Sequence, residues 1–213
     1  MRGTPTCPRC GGTVKPPGLW SSSWTCASHG EVLPQQPAHR PSVEGLADLV
    51  QRARVPVWLP WPLPHGWVLT GFSCVGDERS GARAVVLALG GPAPLGGAGE
   101  LLVVAEEPGI GLAARYAGLT TPDPGPLDGP PAAKVDVASH PTALWCVAGA
   151  GPCAAYAGEA LGNWLWLLSW PERSAALLLE ELRLVDAREL GHETDLVPTG
   201  ALSPRLAGAP LPV

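Results

Sequence analysis

Four side chains that commonly bind metal ions stand in two closely spaced pairs near the start of the chain. In "CPRCGG" two residues separate Cys7 from Cys10, and in "WTCASHG" two residues separate Cys26 from His29. This gap lets both ligands of a pair point inward from one tight turn, and thiolate and imidazole are ligands that Zn²⁺ prefers. The sequence therefore predicts a zinc site formed by Cys7, Cys10, Cys26 and His29.

The number of ligands in this set favours a structural ion over a catalytic one. Four protein ligands complete a tetrahedron, whereas a catalytic zinc ion keeps one position for water. The 15 residues between Cys10 and Cys26 leave room for a hairpin that joins the two pairs. The arrangement resembles a zinc ribbon over about residues 5–31, with His29 where many ribbons have a fourth cysteine. We expect Trp20 and Trp24 to fill the small core of this ribbon.

The composition fits a small module followed by one larger domain. The chain has 213 residues, of which 46% are hydrophobic and 15% charged, so it can form a core. Its 27 glycines and 26 prolines indicate many turns. The net charge of −5 argues against binding of nucleic acid, because phosphate contacts require clustered Lys and Arg. The basic side chains of the first 40 residues are scattered rather than clustered: Arg2, Arg9, Lys15 and Arg40.

The expected compartment is the cytoplasm. The start, "MRGTPTCPRC", has no apolar segment of a secretory signal, and no stretch reaches the ~20 apolar residues needed to span a bilayer. In a reducing compartment, closely spaced cysteines are more often metal ligands than disulfides. The expected location thus agrees with the predicted zinc site.

The distribution of turn and apolar residues divides the chain into four segments. Residues 1–33 form the predicted zinc ribbon, and "PQQPAHRP" (34–41) is a proline-rich linker. Residues 42–190 form the larger domain. Residues 191–213 have no periodic apolar face, which predicts a disordered tail.

The larger domain begins with a predicted helix and a proline-rich extended segment. Ser42 is suited to cap a helix over residues 42–54, on which Leu46 and Leu49 share one face. The segment "PVWLPWPLPHGW" (56–67) alternates proline with large apolar residues. Because proline lacks an N–H group, this segment must be extended, either as polyproline II or at the edge of a sheet.

Strands and a final helix complete the predicted domain. A long helix over residues 171–190 places Leu178, Leu182 and Val185 on one face. The predicted fold class is α+β: an N-terminal zinc ribbon, then an antiparallel sheet of about six strands, with the C-terminal helix packed on one face. The predicted strands are residues 67–75, 82–90, 100–107, 132–139, 142–149 and 163–170.

Two further patterns carry weaker indications of chemistry. Residues 109–114 ("GIGLAA") match a dinucleotide-binding pattern, but "PDPGPLDGPP" stands where the next parallel strand would be required. Glu106 and Glu107 are adjacent at a strand end, so they point to opposite faces and do not form a carboxylate pair. The sequence therefore predicts no organic cofactor.

Three cysteines lie outside the ribbon and are possible nucleophiles. Cys74 and Cys146 are in predicted strands, where a cysteine usually acts as a small buried hydrophobe, and Cys153 follows them. A Cys–His pair would require spatial adjacency to His65 or His140, which sequence does not supply. We predict no catalytic residue.

Three segments carry a family resemblance. "CPRCGGTVKPPGLWSSSWTCASHG", "PVWLPWPLPHGWVLTGF" and "NWLWLLSWP" resemble an uncharacterised family of actinobacterial proteins, some of which carry the label phosphotransacetylase. The resemblance spans most of residues 1–190 and implies no established catalytic residues. "LPHGW" (63–67) is similar to the start of sheet-plus-helix sensor domains, which implies binding.

Two hypotheses for function follow. The first is a cytoplasmic zinc-ribbon protein whose α+β domain is a non-catalytic binding or scaffold module for a protein partner or a small ligand. The alternative is an enzyme, an acyltransferase by the family label. A pocket with converging polar groups would favour the enzyme, and an exposed apolar patch would favour the scaffold.

Overall fold

The computed structural model describes residues 3–19, 21–148 and 153–207, in which the strands form two sheets. Trp20, expected in the ribbon core, lies outside the described residues. In the smaller sheet Val14 lies opposite Cys26, so a hairpin brings the two Cys/His pairs together. This sheet has the order β1-β2-β3, with β1 (Val14–Lys15), β2 (Thr25–Cys26) and β3 (Gly30–Glu31).

The larger sheet has nine strands. They are β4 (Trp58–Pro60), β5 (Val68–Asp77), β6 (Gly81–Pro92), β7 (Ala98–Glu106), β8 (Ala133–Val137), β9 (His140–Val147), β10 (Ala154–Ala160), β11 (Asn163–Trp170) and β12 (Arg183–Asp186). Their order is β4-β12-β8-β9-β10-β11-β7-β6-β5, and all neighbours are antiparallel except β12 and β8. All six predicted strands are present, and β4, β10 and β12 enlarge the sheet beyond them.

Both faces of this sheet are buried, because alternate residues of its central strands point to opposite sides. The first face is covered by helix α1 (Val43–Arg52) and a 3₁₀ helix (Glu172–Leu179), and the second by helix α2 (Leu112–Ala117). Buried members of the first face include Val85, Leu87, Leu89, Leu165 and Leu167. Those of the second include Val86, Leu102, Val104, Trp166 and Leu168.

Helix α1 matches the predicted helix. The Ser42 hydroxyl accepts a hydrogen bond of 3.0 Å from the N–H of Gly45, which caps the first turn. Leu46 and Leu49 are both buried against the first face. The local pattern therefore predicted both the position and the buried side of this helix.

The predicted C-terminal helix over residues 171–190 is wrong. The chain forms a 3₁₀ helix that ends at Leu179, becomes extended at Glu180 and then forms β12. Leu182 and Val185 are buried as predicted, but strand β12 lies between β4 and β8, where it pairs with both. The spacing of apolar residues fitted a helix, but the place between β4 and β8 requires extended backbone that can pair with both strands.

Residues 34–41 do not form the independent linker that the proline content predicted. The Gln36 N–H donates to the Cys74 carbonyl at 2.8 Å, and the Gly76 N–H donates to the Pro34 carbonyl at 2.8 Å. This segment therefore covers the edge of β5, where unpaired backbone groups would otherwise remain. It also pairs with the ribbon, because Thr6 and Gln35 exchange backbone hydrogen bonds of 2.9 and 2.8 Å.

Residues 191–207 differ from the expected disordered tail. A 3₁₀ helix spans Gly191–Leu196, and Gly200 then donates a hydrogen bond of 2.8 Å to the carbonyl of Leu69 on β5. Ser203 and Leu206 are buried. The tail has no periodic apolar pattern because it docks through single residues. Residues 208–213 lie outside the described residues.

Part of the proline-rich segment forms β4 at the opposite edge of the sheet, which is one of the two extended arrangements expected from its prolines. Strand β4 is the first strand of the order and thus an edge strand, and Trp58 and Trp67 are buried at 2% and 3% exposure, so they belong to the core. In the described part of the chain, no helix has the length and apolar character needed to cross a membrane.

Candidate metal centre and the adjoining cleft

The structure brings the four predicted ligands together. One donor atom from each of Cys7, Cys10, Cys26 and His29 lies within 4.8 Å of all the others. The Sγ atoms of Cys10 and Cys26 are 3.7 Å apart, and His29 Nδ1 lies 3.6 Å from Cys7 Sγ and 3.7 Å from Cys26 Sγ. Sulfur atoms bound to one tetrahedral ion at about 2.3 Å are about 3.8 Å apart. The three shorter distances are close to this value, so the group could hold a metal ion such as zinc.

A tight turn positions the first pair of ligands. The Gly11 N–H donates to the Cys7 carbonyl at 2.8 Å, and the Cys7 N–H donates to the Gly12 carbonyl at 2.7 Å. Gly11 has φ +71, a conformation that glycine adopts without strain. A Cβ atom there would also lie 2.7 Å from Nη1 of Arg115 on α2, so the turn and the helix are in close contact.

The thiols of this group differ in acidity. Burial raises the pKa of the Cys7 thiol to about 11. The backbone N–H of Ser28 and the side chain of His29 lower the pKa of Cys26 to about 6. Metal ions bind thiolate, so metal binding would release the proton of Cys7 and depend on pH.

The ribbon is docked on the larger domain through two side chains. Trp24 Nε1 donates to the Asp77 carboxylate at 3.0 Å, at the end of β5. Arg9, which lies inside the first Cys pair, donates to the carbonyls of Gly109 at 2.6 Å and Ile110 at 3.4 Å. The turn at residues 7–12, called below the metal-binding turn after its predicted role, is therefore attached to the loop that leads into α2.

Helix α2 is anchored by a buried carboxyl group. Glu106 is fully buried at the end of β7, and its Oε2 accepts a hydrogen bond of 2.8 Å from the N–H of Leu112. Burial raises the pKa of Glu106 to about 8. Glu106 accepts a hydrogen bond from the first N–H of α2. A carboxyl group of the protein itself therefore occupies the start of the helix in the "GIGLAA" pattern. Glu107 points away and pairs with Arg83 at 3.3 Å, so the two carboxyl groups are separate, as predicted.

A second acidic residue fixes the loop before α2. Asp123 Oδ1 accepts hydrogen bonds from the Gly109 N–H at 2.8 Å and from Trp164 Nε1 at 2.9 Å. Arg9 holds the carbonyl of the same Gly109. The position of α2 thus depends on β7, β11 and the ribbon together.

A cleft of about 370 Å³ lies beside the metal-binding turn, over the second face. Its volume falls within the roughly 300–1,000 Å³ typical of small-molecule sites. Polar and apolar groups from four parts of the chain line it, namely the ribbon, the 34–41 segment, α2 and the tail. Lining residues that matter below are Gln35, Arg115, Tyr116, Leu202, Arg205 and Leu206.

Arg115 is the cationic group of α2 in this cleft. Its Nη2 donates to Gln35 Oε1 at 2.7 Å, and its guanidinium lies 4.9 Å from the ring centre of Tyr116. Among the described residues it has no carboxylate partner, and its buried Nε has no hydrogen-bond partner. Burial raises the pKa of the neighbouring Tyr116, whose hydroxyl accepts from Gln35 Nε2 at 3.4 Å.

Arg205 brings a second guanidinium group from the tail. It pairs with Glu100 at the start of β7 and lies 4.2 Å from the ring centre of Trp170. The Ser203 hydroxyl also donates to the Glu100 carboxylate. Since Glu100 neutralises Arg205, the charge of Arg115 remains unbalanced in the cleft.

The cysteines outside the ribbon are dispersed. Cys74 is buried and Cys153 half-buried, and burial raises the pKa of both thiols. Cys146 is exposed on β9, so the expectation that it is buried is wrong. In the described ranges, no hydrogen bond joins these thiols to His65 or His140.

The fold and the donor group together define a class: an α+β protein with an N-terminal Cys/His group that could hold a metal ion and is compatible with a zinc ribbon. Residues 1–206 match a family of unknown function, DUF6758, and the chain belongs to that family. Comparison with curated proteins and with solved structures finds no match.

The sequence identified the four residues of the Cys/His group but not the groups around them. Cys/His spacing is a local signal, and all four ligands were named from it. Glu106, Arg115 and Arg205 acquire their roles through contacts across more than one segment. A glutamate at the end of an apolar strand, followed closely by a short helix, was the available signal for Glu106.

Proposed function

We propose that this chain is a cytoplasmic zinc-ribbon protein whose α+β domain is a non-catalytic binding module for a small ligand. The observation that carries the proposal is the cleft beside the metal-binding turn, which the ribbon, α2 and the tail line together. Loops and short helices over a rigid sheet are common places for binding sites.

The ligand set supports zinc as the ion and a structural role for it. Three thiols and one imidazole suit Zn²⁺, and four protein ligands leave no coordination position for water. Carboxylates and carbonyl oxygens, which Mg²⁺ and Ca²⁺ prefer, are absent from the set. Zinc would hold the turn at residues 7–12 and thereby the wall that this turn contributes to the cleft.

The contacts of the ribbon support its role as part of the binding module. Thr6 pairs with Gln35, which in turn forms a bridge with Val75 on β5. Arg9 fixes the loop before α2, and α2 carries Arg115. Loss of the ion should therefore alter the cleft as well as the ribbon.

Ligand selection from a metabolite extract tests the binding role. Metal-loaded protein is incubated with a fractionated extract, separated by rapid gel filtration, and the bound compounds are identified by mass spectrometry. We expect at least one compound to be enriched, and to be lost from Cys26→Ser protein but kept by Cys146→Ser protein. Enrichment of nothing, or equal enrichment by Cys26→Ser protein, would contradict the proposal.

A protein partner is the second candidate, supported by a separate groove. Leu95 and Leu179 are 71% and 84% exposed and line a groove of about 460 Å³ beside the 3₁₀ helix. Exposed apolar patches of this kind favour protein interfaces. A quantitative pull-down should then lose a partner in Leu179→Asp but not in Leu161→Asp, which changes an exposed leucine outside the groove. Equal loss in both variants would count against this candidate.

A further inference from the structure

The charge of Arg115 restricts the chemistry of the ligand that the cleft accepts. A guanidinium group that is partly buried and lacks a carboxylate costs free energy unless an anion balances it. Within the described part of the chain, Arg115 donates one side-chain hydrogen bond, to the neutral amide of Gln35. Its Nε is buried without a partner, so the group has unused donors.

The surroundings of Arg115 hold its guanidinium group in a fixed orientation. The ring of Tyr116 lies below the cation, and Gln35, only 5% exposed, fixes one edge of the group. Gln35 itself is held by backbone pairing with Thr6. An arginine that is held in this way loses little side-chain entropy when it binds an anion.

The remainder of the cleft lining indicates what accompanies the anionic group. The tail and the 34–41 segment contribute apolar surface, through Leu202 and Leu206 and through Pro37 and Ala38. The second arginine, Arg205, is already paired with Glu100. The lining therefore offers one unbalanced positive charge beside apolar groups.

We propose that the cleft binds a small organic anion, with its carboxylate or phosphate group on Arg115 and its apolar part against the tail. Both head groups accept two parallel hydrogen bonds from a guanidinium group, which is the chemistry they share. This inference rests on the proposed binding role and adds the class of ligand to it.

Titration calorimetry with matched probes tests the inference on the full-length, metal-loaded protein. Benzoate and phenyl phosphate are the anionic probes, and benzamide and benzyl alcohol are neutral compounds of similar size. We expect saturable binding of at least one anion and none of the neutral compounds at millimolar concentration. The stronger of the two anions identifies the head group, and inorganic phosphate shows whether the apolar part contributes.

Three arginine variants locate the binding. Arg115→Gln should weaken anion binding by about tenfold or more, because it removes a charge-assisted pair of hydrogen bonds. Arg115→Lys keeps the charge without the planar fork and should bind with intermediate affinity. Arg79→Gln, which removes an exposed arginine in the turn between β5 and β6, should bind like the wild type.

Three results would overturn the inference: no anion binds, neutral and anionic probes bind alike, or Arg115→Gln and Arg79→Gln bind as the wild type does. If Arg115→Gln does not fold, the Arg115→Lys variant and the comparison of anionic with neutral probes decide. Metal content is measured on the same sample. One zinc ion per chain without anion binding refutes the inference alone, whereas anion binding by a metal-free chain refutes the role proposed for the ribbon.

Discussion

The two faces of the nine-stranded sheet are covered in different ways. The first face carries a continuous apolar cluster under α1 and the 3₁₀ helix, and residues of strands β4 and β12 belong to the same cluster. The second face has an apolar centre, but β7 places Glu100 at one end of it and Glu106 at the other. Its cover consists of the six-residue helix α2, the ribbon, the 34–41 segment and the tail.

The first face thus contributes mainly to stability, whereas the second face carries the proposed function. Hydrophobic burial is the main interaction on the first face, to which the ion pair of Asp186 with Arg188 adds hydrogen bonds to the segment before β4. On the second face, ionic and hydrogen-bonded contacts fix short segments from distant parts of the sequence. The ribbon that carries the Cys/His group is one of these segments. The second face therefore holds buried polar groups in fixed positions at some cost in stability, which is typical of binding sites.

The largest effect is expected from a truncation on the first face. Leu87 is fully buried in its cluster, so Leu87→Ala should lower the free energy of unfolding by about 2 to 5 kcal/mol. Chemical denaturation monitored by circular dichroism measures this loss. Metal content at low denaturant should be unchanged, and loss of the metal in this variant would show that the faces are not separate.

The buried carboxyl group of the second face should produce a pH-dependent effect. The pKa of Glu106 is raised to about 8, so the folded state holds a proton that the unfolded state releases above its ordinary pKa of about 4.5. Stability from this group is thus fully present at acidic pH and is lost as pH rises from about 4.5 to about 8.

Glu106→Gln removes this titration. Each pKa unit corresponds to about 1.4 kcal/mol, so we expect the variant to be more stable than the wild type by roughly 2 to 4 kcal/mol at pH 9 and similar to it at pH 5. Urea unfolding at the two pH values measures the difference. Glu107→Gln, on the exposed neighbour, is the control and should show no such pH dependence. Equal stability of wild type and Glu106→Gln at both pH values would contradict the assignment.

The docking of the tail gives a smaller effect. Arg205→Ala removes the partly exposed ion pair to Glu100 and the contact with the buried ring of Trp170, so we expect a loss of about 1 to 2 kcal/mol. Arg173→Ala, an exposed arginine on the 3₁₀ helix, should change stability by less than about 0.5 kcal/mol. Matching stabilities for the two variants would indicate that the tail contributes nothing to the second face.

No effect at all is expected in an acyl-transfer assay. Incubation with acetyl phosphate and CoA should give no turnover above background, because acyl transfer requires fixed groups that meet developing negative charge at a nucleophile. Turnover that survives repurification and disappears in Cys74→Ala or Cys146→Ala would replace the binding module with an enzyme.

Elements with strong local signals could be predicted from the sequence. Ser42 and the spacing of Leu46 and Leu49 determine α1, and proline spacing limited residues 56–67 to extended backbone, either polyproline II or a sheet edge. Strand β10 was missed because its sequence, "AAYAGEA", contains no β-branched residue. Strand β12 was missed because Leu178, Leu182 and Val185 also satisfy helical spacing, and only the gap between β4 and β8 decides against a helix.

The site could be predicted only in part. Two Cys/His pairs at fixed spacing can be recognised from the local sequence whatever the rest of the fold, so Cys7, Cys10, Cys26 and His29 were found. The meeting of Arg115 with Gln35, and of Arg205 with Glu100, joins residues 80 and 105 positions apart. Nothing in a local pattern specifies such pairs, which depend on the order of strands in the sheet.

Hydrogen–deuterium exchange with and without the metal tests the central claim, that a metal-bound ribbon holds the cover of the second face. The protein is compared as purified, after chelation, and as Cys26→Ser, with Cys146→Ser as the control for loss of a thiol. We predict faster exchange on metal loss at residues 34–39, 72–76 and 112–119, with residues 43–52 of α1 on the first face unchanged. Faster exchange confined to residues 5–31 would contradict the claim, because the ribbon would then be a separate module that the sheet does not need.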